Sequence, residues 1–228
     1  MIILHIETST NVCSVALSEN GTCIFSKSNT DGMNHAALLS VFIAEALEVL
    51  KSIDKKLAAV AVSSGPGSYT GLRIGVSTAK GLCYGFDIPL IAVSTLEVLT
   101  AQALKTIKNA ENALFCPMID ARRMEVYAAI YNGKGEIKRD ISADIITSDS
   151  YTEILANQQV YFFGNGAEKC KYTITHSNAR FIDNLVPLAE NMIPFAERAF
   201  IENQFVDVAY FEPFYLKEFQ TTAPKRLS

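Results

Sequence analysis

What this sequence lacks narrows its chemistry first. His5, His35 and His176 stand alone, so no H-x-x-x-H pair sets two imidazoles on one helical face, which speaks against zinc or iron ligation. There is no G-x-x-x-x-G-K-[ST], hence no lysine placed for β- and γ-phosphates. A Gly-x-Ser-x-Gly elbow is missing too, and no cysteine sits beside a histidine in the chain, so no nucleophile is evident. Cys13, Cys23, Cys83, Cys116 and Cys170 are odd in number and never spaced C-x-x-C; they read as free thiols in a reducing cytoplasm. No run reaches the ~18 apolar residues of a membrane span, and the apolar start, Met1 to Glu7, lacks the basic n-region of a signal peptide. A cytoplasmic chain with no membrane partner is expected. A net charge of -4 and a pI near 5.5 remove the broad basic field that independent nucleic-acid binding relies on. The most basic groups, Arg122 with Arg123, Lys134 with Lys138 and Arg139, and Lys225 with Arg226, read as solvated surface.

What is present is an ordinary globular composition, 49% hydrophobic and 19% charged over 228 residues. That is enough to bury roughly 70% of the unfolded surface, in one domain or two lobes. Met1–Glu7, Val12–Ser18 and Thr22–Lys27 read as an antiparallel meander, its second turn set by Asn20-Gly21. A helix capped by Asn34 runs to about Lys51, a buried strand spans Leu57–Ser63, a helix spans about Ser68 to Phe86, and a strand covers Pro89–Val93. Ser94 caps a further helix to about Ile107. After the polar break Lys108–Asn112 a similar order restarts: strands at Ala113–Ile119, Met124–Asn132 and Glu136–Ile146, a helix near Ser148–Asn157, and a strand at Val160–Phe163. Leu185–Asn203 reads as helical, interrupted by Pro187 and Pro194. The recurrence suggests two related β-β-β-α-β-α lobes, residues 1–108 and 109–204, with 205–228 returning to the first.

Two turns are candidates for phosphate. Thr8, Ser9 and Thr10 follow a strand end, where hydroxyls and backbone N–H groups are donors, although such residues also favour turns for local reasons. Gly65, Gly67, Ser68 and Thr70 lie where a buried strand turns into a helix; either an anion site or a plain capped turn fits. Gly71, Gly75 and Ala79 recur every four residues and suggest a narrow groove for a second helix. The preceding helix carries more apolar arc than one lobe covers. His35, Leu38, Leu39, Phe42, Ile43, Gly71, Leu72, Gly75, Ala79 and Leu82 are therefore the expected partner face, and Gly75→Leu should wedge it open. Asp120 and Glu125 could pair across neighbouring strands, but read better as strand-end charges.

Four stretches together resemble the TsaB (YeaZ) family, the dimerisation subunit of the tRNA threonylcarbamoyladenosine complex. They are Ile3–Ser9 with Cys13–Leu17, Gly65–Gly75 continuing to Ala79–Leu82, Val93–Glu97, and Asp120–Arg122 with Glu125–Tyr127. The resemblance implies an actin-like (ASKHA, RNase H-like) two-lobed α/β fold. It also implies a non-catalytic pseudoenzyme that is a homodimer alone, pairs with a TsaD-type catalytic subunit, recruits a TsaE-type ATPase, and reaches tRNA only through the complex. No tightly bound cofactor is implied; ATP or ADP would belong to the complex. The catalytic paralogue's V-N-H-L-E-G-H pattern carries two metal-binding histidines, and Thr95 and Leu99 stand at those places here, so that metal site is not expected. Glu7 occupies a position where the family more often has aspartate. The alternative is a small actin-like ATPase or kinase holding nucleotide at the 8–10 and 65–70 loops.

Overall fold

A computed structural model describes residues 1–216 apart from 31, 33 and 109. Lys225, Arg226 and the rest of 217–228 lie outside the described residues. The first half builds β1 (Ile2–Glu7), β2 (Cys13–Glu19), β3 (Thr22–Asn29), α1 (His35–Ser52), β4 (Ala59–Gly65), α2 (Tyr69–Phe86), β5 (Leu90–Ser94) and α3 (Thr95–Thr106). The second builds β6 (Leu114–Asp120), β7 (Glu125–Asn132), β8 (Ile137–Ile145), α4 (Thr152–Leu155), β9 (Val160–Phe163), β10 (Ala179–Ile182) and α5 (Ile193–Ile201). Each half forms a five-stranded mixed sheet: β3-β2-β1-β4-β5 and β8-β7-β6-β9-β10. In both, an antiparallel meander is extended by parallel strands, and the strand order is the same. This is the actin-like two-lobed α/β arrangement.

β1 is buried along its whole length, which explains why it reads as a continuous apolar run rather than an alternation. Ile2, Leu4 and Ile6 point to α1 and α2, whereas Ile3 packs with Ala59, Ala61, Ile91, Met192 and Ala196 on the opposite face. The Asn20-Gly21 turn is left-handed at both residues, with φ 47° and 77°, as a two-residue hairpin requires. Ser94 and Glu97 form a complete capping box for α3. Leu96, Leu99 and Ala103 of α3 then pack on Phe115, Ile119, Tyr131 and Phe163 of the second sheet.

Several expectations need correction. Asn34 precedes α1 without making a side-chain cap. Residues 148–157 hold only the single turn of α4. β10 (Ala179–Ile182) adds a strand beyond those expected. The stretch 185–203 is helical only from a 3-10 turn at Ala189–Met192 onward, with Pro194 in the first turn of α5. That pair of elements packs on the first sheet rather than belonging with residues 109–188. Arg139 is half-buried and bound to Asp144 at 2.5 Å, not solvated.

Candidate functional site: the two loops at the first sheet's edge

β1 and β4 are parallel neighbours, Ile6 beside Val62, so the loops that leave them emerge side by side. They touch. Ser68 N–H donates to Ser9 O at 2.6 Å, and the Thr8 hydroxyl donates to Gly71 O at 2.8 Å. A Cβ on Gly67 would stand 2.2 Å from Ser9 O, one on Gly71 2.2 Å from Thr8 O, and one on Gly75 2.2 Å from Thr8 Oγ1. These glycines are required by close approach of the neighbouring turn.

Some of the donors that an anion would need are committed inside the chain, whereas Ser9 Oγ is buried with no hydrogen-bond partner among the described residues. Thr8 and Ser9 are fully buried. Thr10 Oγ1 accepts from Val12 N–H at 3.3 Å. Ser68 caps α2 by accepting from Gly71 N–H at 3.3 Å, which satisfies one free N–H at that helix start. Thr70 is exposed and turned to solvent. The structure thus brings Thr8, Ser9, Gly67 and Ser68 together.

Glu7 lies beneath this junction. Its Oε1 accepts from Ser9 N–H at 2.6 Å and from the Ser63 hydroxyl at 3.1 Å. Oε2 has no hydrogen-bond partner among the described residues. Burial pushes this carboxyl above the usual range, and the Ser9, Ser63 and Thr8 hydrogen bonds oppose the shift only in part.

A strap from the C-terminal side covers the second loop. Val206 N–H donates to Leu90 O at 3.0 Å, and Phe214 N–H to Ser64 O at 2.7 Å. Lys80 Nζ holds the Ala209 and Phe211 carbonyls at 2.9 and 3.1 Å. Tyr215 packs on Tyr69 with ring centroids 5.0 Å apart, and Arg73 lies over the other partner, Tyr69, at 4.5 Å. Gly65 has φ 107°, and a Cβ there would meet Phe214 O at 2.8 Å. Beside it, a cavity of about 620 Å³ is bounded by Ser64, Ser94, Ile141 and the strap.

The proposed helical groove also needs correction. His35, Leu39, Phe42, Ile43, Gly71, Leu72, Gly75 and Ala79 are buried within the chain's own first lobe, so they cannot line an open groove. Gly71 and Gly75 face the Thr8 turn, and Ala79 lies in the core cluster shared with α1. Leu38 and Leu82 remain half-buried, and beside them Val41, Tyr84 and Phe86 are 48%, 87% and 50% exposed. The outward side of α1 and α2 therefore keeps an apolar face.

Thr95 and Leu99 do not suit a metal. Both are fully buried; one offers a hydroxyl and the other hydrocarbon packed against the turn at Gly164. Among the described residues no group of three His, Cys, Asp or Glu side chains comes together. No helix among them is long and apolar enough to cross a membrane.

The chain is similar to known proteins. The family model for TsaD, tRNA N6-adenosine threonylcarbamoyltransferase, matches residues 30–210. The tRNA threonylcarbamoyladenosine biosynthesis protein TsaB of Escherichia coli is 32% identical over 95% of both chains. The TsaB protein of Bacillus subtilis is 35% identical over 63% of this chain and 61% of its own. The crystal structure of an uncharacterized Pseudomonas aeruginosa protein with similarity to peptidase YEAZ superposes with a TM-score of 0.78 at 27% identity, covering 95% of this chain and 99% of that one.

Proposed function

The chain belongs to the TsaB (YeaZ) family, and from that membership together with its closed loop junction we propose that it supports threonylcarbamoyladenosine formation in tRNA as a non-catalytic subunit. The observation that carries this reading is the direct contact of the 8–10 and 65–70 loops. Ser68 N–H on Ser9 O and Thr8 on Gly71 O commit groups of the two candidate loops to each other, which supports this reading over the ATPase or kinase alternative. In this reading the chain acts by association. The outward side of α1 and α2, from Val41 to Leu82 and Phe86, docks a TsaD-type catalytic subunit, or a second copy of the chain when that subunit is absent. The paired subunits then recruit a TsaE-type ATPase, with ATP or ADP entering only in that assembly. tRNA is bound by the complex as a whole, because the net charge of -4 gives the isolated chain little attraction for it.

The test is assembly. Val41→Arg combined with Leu82→Arg places two cations on the docking side without touching the loop junction. Sizing of mixtures with a TsaD-type subunit should show a heterocomplex for the wild type and separate components for the folded double variant. A heterocomplex of unchanged stability in the variant would remove this face from the account.

A further inference from the structure

We propose that Arg122 and Arg123 form a paired guanidinium contact for the phosphodiester backbone of RNA, made once the chain is in its complex. The inference deepens the reading above and takes the identity of the polymer from it. Its own support is the hairpin joining β6 to β7. Ala121 N–H donates to Glu125 O at 3.1 Å and Glu125 N–H to Arg122 O at 3.2 Å, and the two arginines occupy successive left-handed positions with φ 67° and 48°. Asparagine and glycine adopt that conformation with less strain, so arginine at both positions is an outlier of the kind that clusters at functional sites.

The surroundings hold the hairpin firmly and leave the guanidiniums free. Asp120 Oδ1 accepts from Arg122 N–H at 3.1 Å and is neutralised by Lys169, whose Nζ also binds Glu125 O at 2.6 Å. Asn165 Oδ1 accepts from Asp120 N–H at 3.0 Å, tying in the neighbouring glycine turn. Both arginines are exposed and have no ion pair, hydrogen bond or ring contact of their guanidinium among the described residues. Every other described arginine is engaged: Arg73 over Tyr69, Arg139 with Asp144, Arg180 on the Ser177 and Ala179 carbonyls, and Arg198 over Phe195. Two adjacent unpaired guanidiniums on a rigid turn suit the bidentate geometry and repeating charge of phosphates. In a chain of net negative charge they supply a local rather than a general attraction.

The experiment titrates a labelled, unmodified tRNA transcript into the complex with a TsaD-type subunit over a salt series. It compares wild type, Arg122→Asn/Arg123→Asn, and Arg122→Lys/Arg123→Lys. Asparagine tolerates the left-handed turn, so the first variant should melt no lower than wild type. It should bind on the order of tenfold more weakly, and its log–log salt slope should be shallower by about 1.4–1.8. The lysine variant should keep the slope. Unchanged affinity and slope in the asparagine variant would overturn the proposal. So would loss of the heterocomplex itself, which would assign the arginines to an acidic protein surface. If the wild-type complex does not assemble, the proposed function fails instead; the same titration of the isolated chain at low salt then decides the arginines, an arginine-dependent slope supporting them and its absence rejecting them.

Discussion

Gly75→Ala is the sharpest probe of the loop junction. The added Cβ would stand 2.2 Å from Thr8 Oγ1, so an ordinary contact near 3.4 Å requires a movement of about 1.2 Å (3.4 − 2.2). Thr8 is fully buried and its hydroxyl is committed to Gly71 O at 2.8 Å. Overpacking of this kind costs about 1–3 kcal/mol, and the lost hydrogen bond adds roughly 1 kcal/mol. Replacing glycine in a helix interior returns about 1 kcal/mol. The net is a destabilisation of about 1–3 kcal/mol, lowering the thermal midpoint by about 2–12 °C at this chain length. Gly81→Ala is the internal control: it lies in the same helix with nothing within 4 Å of the new atom, so only the propensity gain applies and the midpoint should rise by about 2–4 °C. In Thr8→Ala/Gly75→Ala the nearest remaining atom is the residue-8 Cβ at 3.5 Å, and the two substitutions should be less harmful together than their sum. A Gly75→Ala protein that melts at or above wild type would refute the packing described for this junction.

Two further predictions concern titrating groups. The carboxyl of Glu7 is raised above its ordinary value of 4.5 by burial, so its protonated form favours the fold; the contribution is complete below that value and is lost as pH rises through the folded one. Urea midpoints of Glu7→Gln should therefore match wild type in acid and exceed it increasingly toward neutral pH, and a gap that ignores pH would contradict this. Of the five cysteines only Cys23 is exposed; native labelling should modify one thiol, faster as pH rises because burial and Glu190 hold that thiol above its ordinary value, and Cys23→Ser should leave no fast-reacting thiol.

Local chemistry made much of the fold legible. Ser68 and Ser94 announce their helices because a hydroxyl one residue before an apolar period satisfies orphan N–H groups, and Asn20-Gly21 announces its hairpin because both residues accept positive φ. The repeat of meander, helix and strand likewise came through the periodicity. What stayed hidden depends on partners distant in sequence. Gly71 and Gly75 look the same whether they face a second helix or a turn more than sixty residues earlier, and only the approach of Thr8 decides it. β10 has four residues, none fully buried, so it lacks the apolar run that marks a central strand. Pro194 reads as an interruption in sequence but starts α5, since its missing N–H is one the first turn leaves unpaired anyway. The strap over Gly65 carries no motif because main-chain contacts to Ser64 and Leu90 hold it.

The central claim is that this chain enables threonylcarbamoyl transfer without performing it. The most direct measurement is transfer to unmodified tRNA reconstituted from a TsaD-type subunit, a TsaE-type ATPase and the adenylate-forming enzyme, with and without this protein. The account predicts transfer only when the chain is present, and none when it replaces the TsaD-type subunit. Transfer that proceeds equally in its absence, or that the chain performs alone, would contradict it.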